Sequence, residues 1–215
     1  MRWQGVRTSK ARVLRLMRQA NLLAPTRAGH AHGSKAHDGT ITTEQPDVMW
    51  GVDATSGLTR HDGTATVFVV VDHCASECIG LHVAKPGTRF EAVEPLRQGI
   101  QAVFGRYEGG IARGLAVRHD HGRQYVSDYF QTELKFLGVT SSPAFVREPE
   151  GNGVAERFIR TLKEQLLWVR TFDTVEQLRL ALREFQLRYN RQWLCARHRH
   201  QTPAQVRVRL TERAA

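Results

Sequence analysis

Three short apolar segments constrain the fold of this chain more than any other feature: VMWGVDAT (residues 48–55), TATVFVVVD (64–72) and ECIGLHVA (77–84). β-Branched and aromatic residues crowd the first two, which suits a pleated strand better than a helix. SGLTRHDG separates the first pair and contains Asp62-Gly63, a turn signal, so the three segments predict an antiparallel meander. Further on, FEAVEPLRQGIQAVF (90–104) has a helical pattern despite Pro95 and Gly99, and GLAVRHD (114–120) reads as a fourth strand. SDYFQTELKFLGV (127–139) is a helix capped by Ser127 and stopped by Gly138, followed by a brief strand, VTSSPAF (139–145). Two more helical runs follow, GNGVAERFIRTLKEQLLW (151–168) and FDTVEQLRLALREFQLRYN (172–190), the second capped by Asp173 or Thr174. The order β-β-β-α-β-α-β-α-α predicts an α/β fold: a mixed sheet with helices against its faces.

With 215 residues the chain is long enough to bury a core without disulfides. Its three cysteines form no framework and point to a reducing compartment; Cys74 and Cys78 read as small buried residues rather than zinc ligands. No signal peptide and no membrane-length apolar run is present, so a soluble, cytoplasmic protein without membrane association is expected. The net charge is +10, and its distribution is uneven. Residues 1–43 hold eight Lys/Arg and one acid, residues 183–215 hold eight and two, and the centre is mildly acidic. TSKARVLRLMRQANLLAP (8–25) reads as a helix capped by Thr8 or Ser9, with Arg12, Arg15 and Arg18 recurring on its outer side. Thr26 to Pro46, with His30, His32 and His37, reads as a connector. Two basic arms would grip a polyanion, while the acidic centre would repel it unless cations intervene.

Three acids draw attention. Asp53 and Asp120 each end an apolar run, and thirty-five residues separate Asp120 from Glu156, enough chain to return Glu156 to the same sheet edge. Singly, each is most simply a turn or solvated residue, and Asp72, at the end of the second strand, competes with Asp53 for the role. Together, three carboxylates at one edge would require a cation, and Mg²⁺, with its preference for oxygen ligands, water and phosphate, suits that demand. In the stretch containing Glu156, the apolar residues Ala155, Phe158, Ile159, Leu162 and Leu166 form one stripe. Glu156, Arg160 and Lys163 lie on the side that this stripe avoids. The simple account of that side is a solvated, ion-paired face.

WGVDAT, RHDHGRQYVSDYF and NGVAERFIRTLKE, in this order and with this gap, resemble the DDE catalytic core of retroviral-integrase-like transposases, most of all the OrfB class of bacterial insertion sequences. TSKARVLRLMRQANLLAP resembles the second part of that family's helix-turn-helix, and YNRQWL and TPAQV resemble the end of its core. The resemblance implies an RNase H-like mixed five-stranded sheet over residues 47–192. It also implies a partial helix-turn-helix segment at 1–25, a linker at 26–46 and a basic tail at 193–215. Asp53, Asp120 and Glu156 map onto the catalytic and metal-holding acids, with Asp72 outside the set. Lys163 and Arg160, with Arg12 and Arg15 on the first helix, map onto DNA contacts. The implied cofactor is Mg²⁺, with Mn²⁺ able to substitute. The implied partner is DNA, both element ends and target, bound by a homo-oligomer, and the implied activity is strand cleavage followed by strand transfer. A DNA-binding remnant unable to transpose and a plain RNase H-like nuclease remain alternatives. Two departures stand out: little chain precedes the basic helix, so a shortened DNA reader is expected, and YNRQWLCARHRH replaces the Arg-Pro-His run that follows Tyr-Asn in many members.

Overall fold

The structure, a computed structural model, describes residues 8–23, 41, 43–144 and 152–214. The chain divides into two units, Met1–Asp38 and Gly39–Ala215. In the first, helix α1 (Lys10–Gln19) is capped by Ser9, whose hydroxyl accepts from the Arg12 N–H, and it buries no residue. The connector histidines His30, His32 and His37 lie outside the described residues.

The second unit is a five-stranded sheet in the order β3-β2-β1-β4-β5. Strands β1 (Met49–Thr59), β2 (Gly63–Asp72) and β3 (Cys78–Ala84) form the antiparallel meander, and β4 (Ala116–His119) and β5 (Thr140–Pro143) add in parallel. Helices α2 (Arg89–Phe104) and α3 (Asp128–Leu137) cover one face. Helices α4 (Gly153–Leu162) and α5 (Val175–Gln192) cover the other, and α4 continues as a π turn at Lys163–Leu167. A helix α6 (Pro203–Ala214) closes the chain.

β2 shows why this sequence makes a layered fold. Val67, Val69 and Val71 point into the α4/α5 core, while Phe68 and Val70 point into the α2/α3 core. Because both faces are covered, the strand reads as one continuous apolar run rather than an alternating one. Helix α2 passes very close to β3. A Cβ on Gly80 would fall 1.9 Å from the Pro95 carbonyl oxygen, so only glycine allows this approach. Pro95 and Gly99 thus sit inside an unbroken helix, buried against the sheet.

Two expectations are corrected. β1 does not end near residue 55: Ser56–Thr59 pair with Gly63–Thr66 of β2, so the ribbon runs on to a tight turn and Asp53 lies inside the strand. The C-terminal segment is also less available than its charge suggests. Arg207 forks onto the Asp47 carboxylate at 2.6 and 3.0 Å and also pairs with Glu77, and Arg197 donates to the carbonyls of His73 and Cys74. Asp47 in turn accepts from the Trp50 indole at 2.9 Å and donates its N–H to Asp72. Arg207 therefore fastens α6 to the core.

Removing that guanidinium would leave two partly buried acids facing each other. Arg207→Ala should lower stability by roughly 2–3 kcal/mol, somewhat less than the loss of one partner of a fully buried pair. Arg191→Ala, on the exposed side of α5, should stay within about 0.5 kcal/mol. Urea unfolding of both variants checks the contrast.

Candidate active site

Asp53 stands where the pairing of β1 changes. The parallel ladder with β4 ends at Gly51 and Arg118, and two residues further along each chain stand Asp53 and Asp120. Asp53 still pairs with Val69 on its other side, so its backbone is held at the point where the β4 ladder has ended. Asp120 begins the following turn, its Oδ1 accepting from the Gly122 N–H at 2.8 Å. The β4 strand end is braced by His119. Its Nδ1 donates to the Asp120 carbonyl at 2.6 Å, and its Nε2 accepts from the Ser141 hydroxyl at 2.9 Å.

Glu156 arrives from the opposite direction, in the first turn of α4. The start of that helix is fixed by Asn152. Its amide makes no capping bond; it donates instead to the Val52 carbonyl at 2.9 Å, one residue before Asp53. Gly51 makes room for it, since a Cβ there would fall 2.4 Å from Asn152 Oδ1 and 2.8 Å from His73 Nε2. The stitch is buried. It places the head of α4 against β1, and Glu156, one turn later, comes near enough for its charge to act on Asp53.

Electrostatics tie these groups together. Burial, followed by the charges of Asp120 and Glu156, pushes the Asp53 carboxyl up from 3.8 to about 6, against the opposing pull of the Ala54 N–H and Lys163. Burial also raises Glu156, and Arg160 offsets part of that rise. Tyr125 is fully buried, and its phenol is pushed well above its ordinary range, first by burial and then by Asp53 and Asp120. Among the described residues no three His, Cys, Asp or Glu side chains form a ready cage for one ion. The donor set nevertheless suits a hard divalent cation. It consists of carboxylates alone, two of them already steered by backbone N–H groups, with an excess of negative charge at Asp53.

The competing acid is placed elsewhere. Asp72 pairs with Trp50 at the other end of β1 and is fully buried, accepting from the Ala75 and Asp47 N–H groups at 2.6 and 2.9 Å. It is a structural residue of the Arg207 network. Arg160 lies on the exposed side of α4, and Lys163, partly exposed, opens the π turn close enough to act on Asp53. Arg12 and Arg15 are exposed on α1, in the other unit. Sequence reasoning missed Asn152, Gly51, Tyr125 and His73. Asn152 stood inside a glycine-rich turn, where an amide that reaches across to a strand has no distinguishing pattern.

Sheet order and flanking helices give the chain an RNase H-like fold. Residues 137–203 match the integrase core domain family. Over 157 residues, 73% of its length, the chain is 26% identical to the InsD protein of insertion element IS2E of Escherichia coli K12, of which it covers 71%. It is equally similar to the transposase InsD of insertion element IS2A/D/F/H/I/K of Escherichia coli, and it spans about half of that protein, 52%. In fold it is similar to a chain of the simian T-cell lymphotropic virus intasome bound to the PP2A regulatory subunit B56 gamma. The TM-score is 0.63 at 19% identity, covering 93% of this chain and 70% of that one. It is also similar to the HTLV-2 integrase catalytic core domain in complex with magnesium, with a TM-score of 0.56 at 19% identity, over 76% of this chain and 97% of that one. The chain is similar in sequence to the InsD transposases and has the fold of retroviral integrase catalytic cores.

The raised Asp53 carboxyl has a consequence for stability. A folded state that holds this proton more tightly than the unfolded chain is stabilised below about 3.8 and loses that contribution as pH rises through about 6. The full effect corresponds to about 3 kcal/mol. In metal-free protein at pH 7.5, Asp53→Asn should therefore be more stable than wild type by up to about 3 kcal/mol, with the difference shrinking toward pH 4. Urea unfolding across that range, in the presence of a chelator, checks both the sign and the trend.

Proposed function

We propose that the protein is a DNA transposase that cleaves strands at the ends of an insertion element and joins the freed 3′-hydroxyl to target DNA. Asp53, Asp120 and Glu156 hold Mg²⁺ in this reading, and Mn²⁺ can substitute. One observation carries it: Asp53 is a half-buried carboxyl under the field of two further acids brought in from β4 and α4. That is an unfavourable arrangement for a purely structural role, in a chain similar in sequence to the InsD transposases.

Bound divalent cations supply neutralisation of the acids, activation of an oxygen nucleophile and stabilisation of the leaving oxygen in an in-line displacement. The protein supplies position. Asp53 forms the half-buried floor, steered by the Ala54 N–H at 2.7 Å, while Asp120 and Glu156 are exposed at the rim, where a phosphodiester can approach. Arg160 and Lys163, on the same side of α4 and the π turn, hold phosphate oxygens of the DNA backbone. They also temper the acids: Lys163 lowers Asp53, and Arg160 lowers Glu156. A π turn of this kind is frequent at functional sites. Arg12 and Arg15 on α1 add phosphate contacts from the first unit. A homo-oligomer assembled on DNA suits an activity that must hold two element ends and a target at once.

A second reading, a DNA-binding remnant that cannot transpose, draws support from the absence of a three-ligand cage among the described residues. The assay that decides is the joining of a pre-cleaved element end to plasmid DNA with Mg²⁺ or Mn²⁺. Wild type should join ends, and excess chelator should abolish joining. Glu156→Gln should reduce joining by at least about a thousandfold, as expected when several kcal/mol of transition-state stabilisation are lost, while binding DNA as tightly as wild type. A wild type inactive with both metals would favour the remnant, and an equally active Glu156→Gln would remove this glutamate from the site. Lys163→Ala should weaken DNA binding across all sequences and reduce the salt dependence of the affinity by about one phosphate contact.

A further inference from the structure

A different flank of α4 carries features that the three acids do not use. Arg157 and Thr161 lie one helical turn apart, on a stripe distinct from that of Glu156, Arg160 and Lys163. Between this stripe, the end of α5 and the turn after it lies a cavity of about 240 Å³, lined among others by Arg157, Thr161, Tyr189, Trp193, Ser76 and Arg197. This is smaller than the roughly 300–1,000 Å³ of most small-molecule and cofactor sites. Among the described residues, no acidic one lines it.

Its chemistry is consistent from wall to wall. Arg157 and Arg197 are close enough that, after burial, the Arg157 charge is the main cause holding the Arg197 guanidinium below its ordinary range. Arg197 is anchored: it donates to the carbonyls of His73 and Cys74 at 2.8 and 3.2 Å, so it cannot swing away from Arg157. Arg157 forms no ion pair among the described residues. Two guanidinium groups held together, with no acid beside them among the described residues, are relieved by an anion, and a phosphate with its forked acceptors is the natural one. Beside them Trp193 is 37% exposed and stacks on Tyr189, with ring centroids 6.3 Å apart and planes 23° apart. Tyr189 is itself locked edge-on against Phe158, with centroids 4.8 Å apart. The indole is thus a rigid, partly open aromatic platform next to a phosphate-binding pair, which is the combination that recognises single-stranded nucleic acid.

We propose that this cavity binds a single DNA strand, with one phosphate held between Arg157 and Arg197 and one unpaired base stacked on Trp193. The choice of DNA over other polyanions rests on the transposase reading above; the site itself requires no catalysis. Strand cleavage would expose unpaired ends close by, since Arg157 is the residue next to Glu156 on the same helix.

The experiment uses the full chain and a short thymidine oligomer, following tryptophan fluorescence and, separately, the anisotropy of a labelled oligomer. Wild type should show quenching on binding. Trp193→Phe should keep the affinity and lose most of the quenching, because a ring remains to stack but the reporter is gone. Trp193→Ala should weaken binding at least about fivefold, and Arg157→Ala should reduce the salt slope by about 0.7, one single-strand phosphate contact. An abasic oligomer of equal length should bind wild type about as weakly as the thymidine oligomer binds Trp193→Ala. Unchanged quenching in Trp193→Phe, wild-type affinity in Trp193→Ala, an unchanged salt slope in Arg157→Ala, or equal binding of the abasic strand would each overturn the proposal. Glu156→Gln separates this test from the transposase reading, since it should bind the oligomer like wild type whether or not wild type joins DNA ends.

Discussion

The site depends on β1 being covered from both faces. Trp50 and Val52 lie in the α2/α3 core, while α4 packs across the opposite face of β1 and β2. A carboxylate on such a strand has little water to turn to, so Asp53 takes its character from whatever neighbours the fold supplies. It receives two more acids and a lysine. The β4 ladder stops just short of Asp53, which leaves a gap in the sheet edge, and the Asn152 amide pins the head of α4 beside that gap. Without that stitch the helix would still pack by its apolar stripe, but the position of Glu156 relative to Asp53 would no longer be fixed.

The opposite end of β1 carries an acid of the other kind. Asp72 is as buried as any residue in the protein, and burial pushes it up to about 6, as it does Asp53. The causes differ. Asp72 is opposed by two backbone N–H groups and by Arg207, and it contributes to a closed network with Asp47. Asp53 has one such N–H and two acids that raise it further. Two aspartates with similar elevation therefore have different surroundings: Asp72 sits in a closed hydrogen-bonded network, and Asp53 beside two further acids.

Charge distribution has a similar lesson. The arginines of the C-terminal segment look like a phosphate-gripping arm when counted. Arg207 is consumed by Asp47 and Glu77, and Arg197 is held by backbone carbonyls at the edge of a small cavity. Lys163 and Arg160 act on Asp53 and Glu156, and a further pair, Arg157 and Arg197, lines the small cavity. Net charge describes the long-range field, whereas the contacts are set by which arginines the fold leaves unengaged.

The strands and helices were legible from local chemistry, because β-branched runs, caps at Ser127 and Thr174, and the glycine at 138 act over a few residues. The sequence by itself determined the mixed sheet and the amphipathic α4 with Glu156 on its polar side. It could not determine that β1 runs through Asp53 to Thr59, because that extension is held by pairing with β2 rather than by its own propensity. Nor could it assign Asn152 to Val52 or Arg207 to Asp47, contacts between residues 100 and 160 positions apart, or place Trp193 and Arg157 around one cavity. Such pairings leave no local pattern. They exist only once the two cores have closed on the sheet and brought distant side chains within a few ångströms.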